Sequence, residues 1–276
     1  MTQINSIAQI QGLISKVKER KKGYLTNFFL DMAKTSIWIN LGLLEFEEIG
    51  ETVFICRKNE GFNHLFIVTT SIAALANDLP CFISKRKEVI YVTDIVGKLA
   101  DISAVYDVFV CNNFFQYTSL VRMSRIVNEP ADEAFNKSCV FIADREKGVE
   151  VYKQLHEYFD ACAEQLPLIE EINAWVEANR VIIYSDDAKT VQGFVIYELT
   201  GQTSYLRYWF VHPDHREKKI GSALLRKYFA DSRGAKRQLF WVIETNSNAI
   251  KRYEYYGFRQ EALFDKIMVN KDIRHI

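Results

Sequence analysis

The stretch Leu206-Arg-Tyr-Trp-Phe-Val-His-Pro-Asp-His-Arg-Glu-Lys-Lys-Ile-Gly-Ser-Ala-Leu-Leu225 reads as a strand, a proline-bearing turn, a basic loop with one glycine, and the start of an amphipathic helix. A loop that opens a helix is an anion site. The first-turn N–H groups have no intrahelical partner, and the macrodipole places partial positive charge there. Gly221 lets backbone approach a phosphate closely, Ser222 adds a hydroxyl donor, and Arg216, Lys218 and Lys219 bring positive charge to the same spot. Basic residues at a helix start oppose the dipole, a small penalty that a bound pyrophosphate would reverse. Taken alone, such a loop is more often a solvated surface, so its neighbours decide.

Working outward, three strands precede the helix: Arg180 to Tyr184, Val191 to Leu199 and Ser204 to Val211, with Asp186-Asp187 and Gly201-Gln202 as hairpin turns. Period-two alternation places Tyr205, Arg207, Trp209 and Val211 on one face, where Arg207 hints at an anionic acceptor group. Further upstream lie a short strand at Val140-Phe-Ile142, a helix through Val149, Tyr152, Leu155 and Phe159, and a second helix whose apolar face is Leu168, Ile169, Ile172, Trp175 and Val176. Pro167 stands at a natural first-turn position for that second helix. Downstream, Ile220, Ala223, Leu224 and Tyr228 mark a helix, Leu239 to Ile243 a strand, Ala249 to Tyr256 a helix and Leu263 to Val269 a last strand. The order β-α-α-β-β-β-α-β-α-β predicts an α/β (α+β) fold, a mixed sheet covered by helices, with ligands favouring strand ends where helices begin.

The segment Asn246-Ser-Asn-Ala-Ile-Lys-Arg-Tyr-Glu-Tyr-Tyr-Gly-Phe258 follows the Leu239 strand. With Val211-His-Pro213 and Arg216-Glu-Lys-Lys-Ile-Gly221, it resembles the GNAT superfamily of N-acetyltransferases. That family shows a valine-x-proline strand end, an Arg/Gln-x-x-Gly-x-Gly/Ala pyrophosphate loop and an Asn-x-x-Ala-Ile-x-x-Tyr-x-x-x-Gly-Phe helix. The last motif matches at every defining position, while Lys219 stands where the family has its first loop glycine. The resemblance covers Val140 to Val269.

The resemblance implies a mostly antiparallel sheet flanked by helices and a coenzyme A thioester, acetyl-CoA or another acyl-CoA, as donor. The strand ending at Val211 would splay from the strand ending near Glu244. The pantetheine arm would enter the gap and bond main-chain groups around Phe210 and Val211, with Asn246 on the other side. Arg216, Lys218, Lys219, Ile220, Gly221 and Ser222 would hold the pyrophosphate. The Val211 N–H would polarise the thioester carbonyl and Tyr253 would protonate the leaving thiolate, being also a contact of the cofactor. The alternative reading of Tyr253 is a core aromatic beside Tyr255 and Tyr256. An attacking amine must lose a proton; Glu244 is the first candidate base and His212 the second, although a strand-end Glu and a turn His are commonly structural.

The chain has 276 residues with 35 basic and 35 acidic side chains, 4 prolines and 12 glycines. Its length predicts two units and its composition little disorder. The polar Asn128-Glu-Pro-Ala-Asp-Glu133 stretch suggests a cut giving domains 1–130 and 131–276. Balanced charge speaks against nucleic acid as partner, and the absence of an apolar span or leader points to a cytoplasmic protein without a membrane anchor. The five cysteines have no metal-ligand spacing and read as reduced, mostly buried thiols. In the first half, helical periodicity over Ile7 to Val17 leads to strands at Thr52 to Cys56, His64 to Val68 and Val89 to Val92. Its end, Ala104-Val-Tyr106 through Phe114-Phe115-Gln116 to Leu120-Val121, echoes Ala249-Ile250 through Phe258-Arg259-Gln260 to Ile267-Met268. Two tandem GNAT-like domains would explain the echo. The first half shows no phosphate loop, since Thr69-Thr-Ser-Ile-Ala-Ala-Leu75 lacks glycine and charge, so it is expected to bind no coenzyme A. The leading expectation is an N-acyltransferase acting on a small-molecule or peptide amine. The alternatives are a carrier-protein or tRNA acyl donor, which a strongly basic face would favour in the tRNA case, and a non-catalytic module that senses coenzyme A or binds a protein.

Overall fold

The computed structural model describes residues 1–127, 138–186, 189–216 and 218–272. The chain forms two compact units, one of Met1–Leu120 with Ala262–Ile276 and one of Val121–Glu261. The Asn128 to Glu133 stretch chosen as a boundary lies outside the described residues, as does Asp187 of the expected turn. The division differs from a single cut near 130, because the last stretch of chain belongs with the first unit.

The first unit runs through Thr2–Gln3 (β1), Ile7–Glu19 (α1), Leu25–Thr26 (β2), Met32–Asn40 (α2), Leu44–Ile49 (β3), Thr52–Lys58 (β4), Asn63–Thr69 (β5), Ile72–Ser84 (α3), Tyr91–Gly97 (β6), Leu99–Cys111 (α4) and Phe115–Ile126 (β7), whose residues from Val121 onward belong to the second unit. Helix α1 begins where the Ser6 hydroxyl accepts from the Gln9 N–H, and it buries Ile10, Leu13 and Val17. Strands β4 and β5 are apolar on both faces because helices cover both. Phe54, Leu65 and Ile67 pack with Leu75, Leu79 and Phe82 of α3 and with Ile102 and Phe109 of α4. The Phe54 and Phe82 rings stack at 4.3 Å. Each such fully buried side chain contributes about 1.5–3 kcal/mol, so this cluster decides where the helices lie.

Among the described residues, β5 and β6 pair in parallel through Asn63↔Tyr91 and His64↔Val92, while β1–β3, β3–β4, β4–β5 and β2–β5 pair antiparallel. Beyond the parallel ladder β5 and β6 separate, and the unit's own chain fills the opening. Strand β2 pairs with β5 through Leu25↔Thr69 and Thr26↔Val68. Next to it, Asn27 Oδ1 accepts from the Ile67 N–H at 2.7 Å while its Nδ2 donates to the Asp94 carbonyl at 2.9 Å. An unpaired strand edge in a buried setting carries a desolvation cost, and this insertion removes it.

The second unit continues with Val140–Ile142 (β8), Arg145–Tyr158 (α5), Ala161–Glu164 (α6), Ile169–Glu177 (α7), Val181–Tyr184 (β9), Gly193–Thr200 (β10), Thr203–Val211 (β11), Ile220–Asp231 (α8), Arg237–Ile243 (β12), Ser247–Tyr255 (α9) and Arg259–Val269 (β13). Its strands stand in the order β7-β12-β11-β10-β9-β8. On one face α5 and α7 bury Val151, Leu155 and Ile172 against Ile183, Phe194, Ile196 and Phe210. On the other face Tyr228 of α8 bonds the Ser204 hydroxyl at 3.0 Å and meets the Tyr197 ring at 5.3 Å. Pro167 precedes α7 by one position more than expected, since Leu168 is the cap residue.

The order β3-β4-β5-α3-β6-α4 repeats as β9-β10-β11-α8-β12-α9, with one parallel pair at the same place in each. The sequence echo is thus a repeat of structure. Strand β13 returns to the first unit from Ala262, where residues 264–269 pair antiparallel with β6 and Met268 enters the core. All five cysteines are free, but only Cys56 is buried; Cys81 and Cys111 are exposed, which corrects the expectation of mostly buried thiols. No helix among the described residues is long and apolar enough to cross a membrane.

Candidate functional site

Strands β11 and β12 pair in parallel through Thr203↔Arg237, Ser204↔Gln238 and Tyr205↔Leu239, and the ladder stops there although both strands continue. The cause lies on the opposite edge of β11. Its register with β10 shifts between Ile196↔Tyr208 and Tyr197↔Leu206, which leaves Arg207 as the extra residue of a β-bulge. A bulge bends its strand and increases the twist, so β11 swings away from β12 at this point.

The bulge also overturns the expected alternation. Tyr205 and Arg207 stay together, the Arg207 guanidinium 5.6 Å from the Tyr205 ring and paired to Glu198, whose other oxygen accepts from Trp175 of α7 at 2.8 Å. Trp209 instead turns to the opposite face, against Gly221 of α8 and 5.3 Å from the Tyr253 ring of α9. With its charge answered by Glu198, Arg207 no longer points to an anionic acceptor.

The separated ends of the strands open onto a cavity of about 950 Å³. Phe210, Val211, Arg216, Lys219, Ile220, Gly221, Ser222, Asn246 and Tyr253 all line it, so most of the residues expected at one site are brought together. Trp209, His215, Asn248, Lys251 and Arg252 line it as well and were not foreseen. Lys218 is exposed beside His215, at 3.2 Å from its Nδ1, and is not among the lining residues.

Three local features shape this cavity. Helix α8 starts at Lys219 with φ 59°, and no side chain caps it. The left-handed conformation is the one a glycine adopts freely, so lysine keeps the loop geometry at a cost of about 1–2 kcal/mol. The first-turn N–H groups stay available, and Arg216 and Lys219 make no ion pair among the described residues. Second, a Cβ on Gly193 would lie 2.7 Å from the Phe210 carbonyl and 3.2 Å from Ile220, so glycine allows α8 to seat against the strands. Third, a Cβ on Gly221 would meet the Trp209 ring at 2.9 Å. The absence of a side chain at Gly221 thus leaves room for the indole on that side of the helix, and Trp209 Nε1 is buried without a hydrogen-bond partner.

Helix α9 is capped by Asn246, whose Oδ1 accepts from the Ala249 N–H at 3.1 Å. It carries Tyr253 into an aromatic nest, 4.0 Å from Phe240 and 6.2 Å from Phe258 between ring centroids. Burial pushes the phenol pKa well above its ordinary value, the nearby Glu164 carboxylate raises it further, and Arg252 offsets part of this. The phenol therefore holds its proton throughout the neutral range.

The two candidate bases fare differently from Tyr253. Glu244 follows β12 as an exposed residue and does not line the cavity. His212 has both ring nitrogens engaged: Nε2 with the Tyr158 hydroxyl at 3.0 Å and Nδ1 with the Asp214 N–H at 3.3 Å. A titratable residue that the sequence reading did not single out is Glu164, at the end of the four-residue α6, and it is not among the residues lining the cavity. Burial and the neighbouring Asp160 raise its carboxyl to about 7. A lone acid inside the apolar run Ala163-Glu-Gln-Leu-Pro-Leu168 was the available signal. No group of three or more His, Cys, Asp or Glu among the described residues is placed to hold a metal ion.

Several features suit a ligand with a diphosphate and an extended amide-bearing arm: the open helix start, two cations with no ion pair among the described residues, an orphaned indole N–H and an unladdered strand edge. Coenzyme A has this chemistry. Comparison with known proteins agrees. Residues 177–260 match the model of the acetyltransferase (GNAT) domain. A GCN5-related N-acetyltransferase from Sphaerobacter thermophilus is similar in structure, with TM-score 0.57, 12% identity and 80% of each chain covered. A GCN5-related N-acetyltransferase from Kribbella flavida has TM-score 0.56 and 11% identity over 87% of this chain and 95% of its own. A tandem GNAT protein from the clavulanic acid biosynthesis pathway has TM-score 0.52 and 10% identity over 79% of this chain and 78% of its own. A search of curated proteins returns no match to the sequence. Residues 177–260 thus match the GNAT acetyltransferase domain, and the chain shares its mixed, mostly antiparallel fold with solved structures described as single and tandem GNAT proteins.

Proposed function

We propose that the second unit is an acyl-CoA-dependent N-acyltransferase that binds one acyl-CoA, acetyl-CoA by default, and acylates the amine of a small molecule or peptide. The observation that carries this reading is the early end of the β11–β12 ladder, which opens onto a cavity lined from both sides by the two sequence motifs. Arg216, Lys219 and the first turn of α8 at Ile220, Gly221 and Ser222 would hold the diphosphate. The free edge of β11 around Phe210 and Val211 would bond the pantetheine arm, with Asn246 opposite.

When bound, the acyl-CoA supplies an activated carbonyl and a thiolate leaving group. The Val211 N–H is the proposed donor to the carbonyl oxygen, since a preorganised backbone N–H costs no reorganisation as charge develops. Tyr253, held protonated by its buried setting, is the proposed proton donor to the departing sulfur. The aromatic nest around it excludes water from the reacting sulfur.

Thermal shift with coenzyme A, acetyl-CoA and longer acyl-CoAs tests the reading. A ligand present at about 100 times its dissociation constant adds roughly 2.7 kcal/mol of stability. Release of free thiol in the presence of primary amines separates an enzyme from a module that only binds the cofactor. An unmoved transition with all of these ligands refutes the proposal.

A further inference from the structure

Resting on the acyltransferase reading, we propose that Lys251 and Arg252 of α9 form a second phosphate site in the same cavity. It takes the 3′-phosphate on the ribose of coenzyme A, so the protein selects the complete cofactor over its 3′-dephospho form. The first observation is charge. The chain as a whole balances 35 basic against 35 acidic side chains. The cavity does not: Arg216, Lys219, Lys251 and Arg252 all line it, and no Asp or Glu is among the described residues that do. None of these cations makes an ion pair among the described residues. Gathering like charges around one cavity costs free energy that a bound anion removes.

The cations fall into two pairs on two helices. Arg216 and Lys219 lie at the start of α8, whose uncapped first turn adds its own N–H groups. Lys251 and Arg252 lie inside α9, whose start is closed by the Asn246 side chain, so this helix has only side chains to offer a ligand. Asn248 stands three and four positions before them and lines the cavity too. One face of α9 is therefore turned to the cavity. The Arg252 Cζ lies 6.0 Å from the centroid of the Trp209 ring, which directs the guanidinium toward the β11 wall of the cavity.

The diphosphate matches the α8 pair in charge. The α9 pair needs another partner, and the pantetheine amides and the thioester are neutral. What remains of the cofactor's charge is the 3′-phosphate, a monoester carrying about −1.5 to −2 at neutral pH because its second pKa is near about 6. With it the ligand brings nearly one negative charge for each cation; without it the α9 pair stays unmatched. The two side chains suit the group in different ways, since the Arg252 fork can meet two phosphate oxygens and Lys251 adds a point charge. No bond is made or broken at this site, so it acts on cofactor affinity and leaves the chemical step alone.

Calorimetry of the intact chain with acetyl-CoA and with acetyl-3′-dephospho-CoA tests the assignment. The wild type should bind acetyl-CoA about 10-fold more tightly than the dephospho form, and this preference should shrink in high salt because both cations are partly solvated. The double variant Lys251→Gln, Arg252→Gln keeps the aliphatic stems and the helix propensity. It should bring the two affinities within about twofold of each other, with affinity for the dephospho form within about twofold of wild type. Equal binding of the two ligands by the wild type overturns the assignment and leaves the acyltransferase reading standing, whatever becomes of the variant. So does a preference that survives in the double variant, which would put the 3′-phosphate elsewhere. A double variant that loses both ligands alike also overturns it, since the α9 cations would then serve the diphosphate. A wild type that binds neither ligand removes both the assignment and the reading beneath it.

Discussion

The two units contain the same kind of opening, a parallel strand pair that separates after a few residues, and they treat it in opposite ways. Between β5 and β6 the gap holds the protein's own chain, with β2 laddered onto β5 and the Asn27 amide bonded to main-chain groups of both strands. Helix α3, which follows β5, is capped internally by the Ser71 hydroxyl accepting from the Ala74 N–H. Between β11 and β12 the corresponding edge is unladdered, α8 starts without a side-chain cap, and Arg216 and Lys219 stand nearby. One repeat thus completes its own hydrogen bonding, and the other leaves donors for a ligand. On the proposed reading a repeated fold does not repeat its binding site: two strand residues, one asparagine and one serine fill the first opening.

The largest effect that can sharpen this contrast is chemical. Tyr253→Phe is expected to lower amine-dependent thiol release by about 100-fold while acetyl-CoA affinity by calorimetry stays within about twofold. Unchanged turnover would reduce Tyr253 to a core aromatic. Next in size, Asn27→Ala should destabilise the protein by about 2 kcal/mol in urea unfolding, because the buried Ile67 N–H loses its acceptor. The same variant should gain no second coenzyme A site, since β2 still covers β5.

How much of this was visible in the residues depends on the range of the interaction involved. The Asn246 to Phe258 helix, the Val211-His-Pro turn and the basic loop were legible because cap, turn and charge act locally. So was the strand and helix order from Val140 to Val269. The plug was not, because Leu25 and Thr26 are too short a strand for any period and gain their role only from β5. The bulge at Arg207 hid in a run whose alternation looked regular, and it moved Trp209 to the other face. Glu164 escaped because its four-residue helix gives no amphipathic signal. The return of β13 to the first unit is a pairing across most of the chain, which no local pattern encodes.

A smaller effect concerns a carboxyl of the second unit. The Glu164 carboxyl is raised from its ordinary 4.5 to about 7. Between those values the folded protein keeps a proton that the unfolded chain releases, so stability falls as pH rises through this window and is level above it. Glu164→Gln removes that fall and should be more stable than wild type by about 1–2 kcal/mol at pH 8, as read by thermal unfolding, and equal to it near pH 4. A constant difference across the range would contradict the raised carboxyl. Smallest of all, Lys219→Gly should raise stability by about 0.5–1 kcal/mol, because glycine adopts φ 59° without strain. A loss of stability would show that the lysine side chain contributes more than its backbone costs.

The most direct test of the open and plugged openings is the stoichiometry of coenzyme A on the intact chain by native mass spectrometry. One equivalent is expected for the wild type, with loss of most binding in the double variant Arg216→Ala, Lys219→Ala and no change in Asn27→Ala. Two equivalents, or one equivalent that survives the double variant, would contradict it.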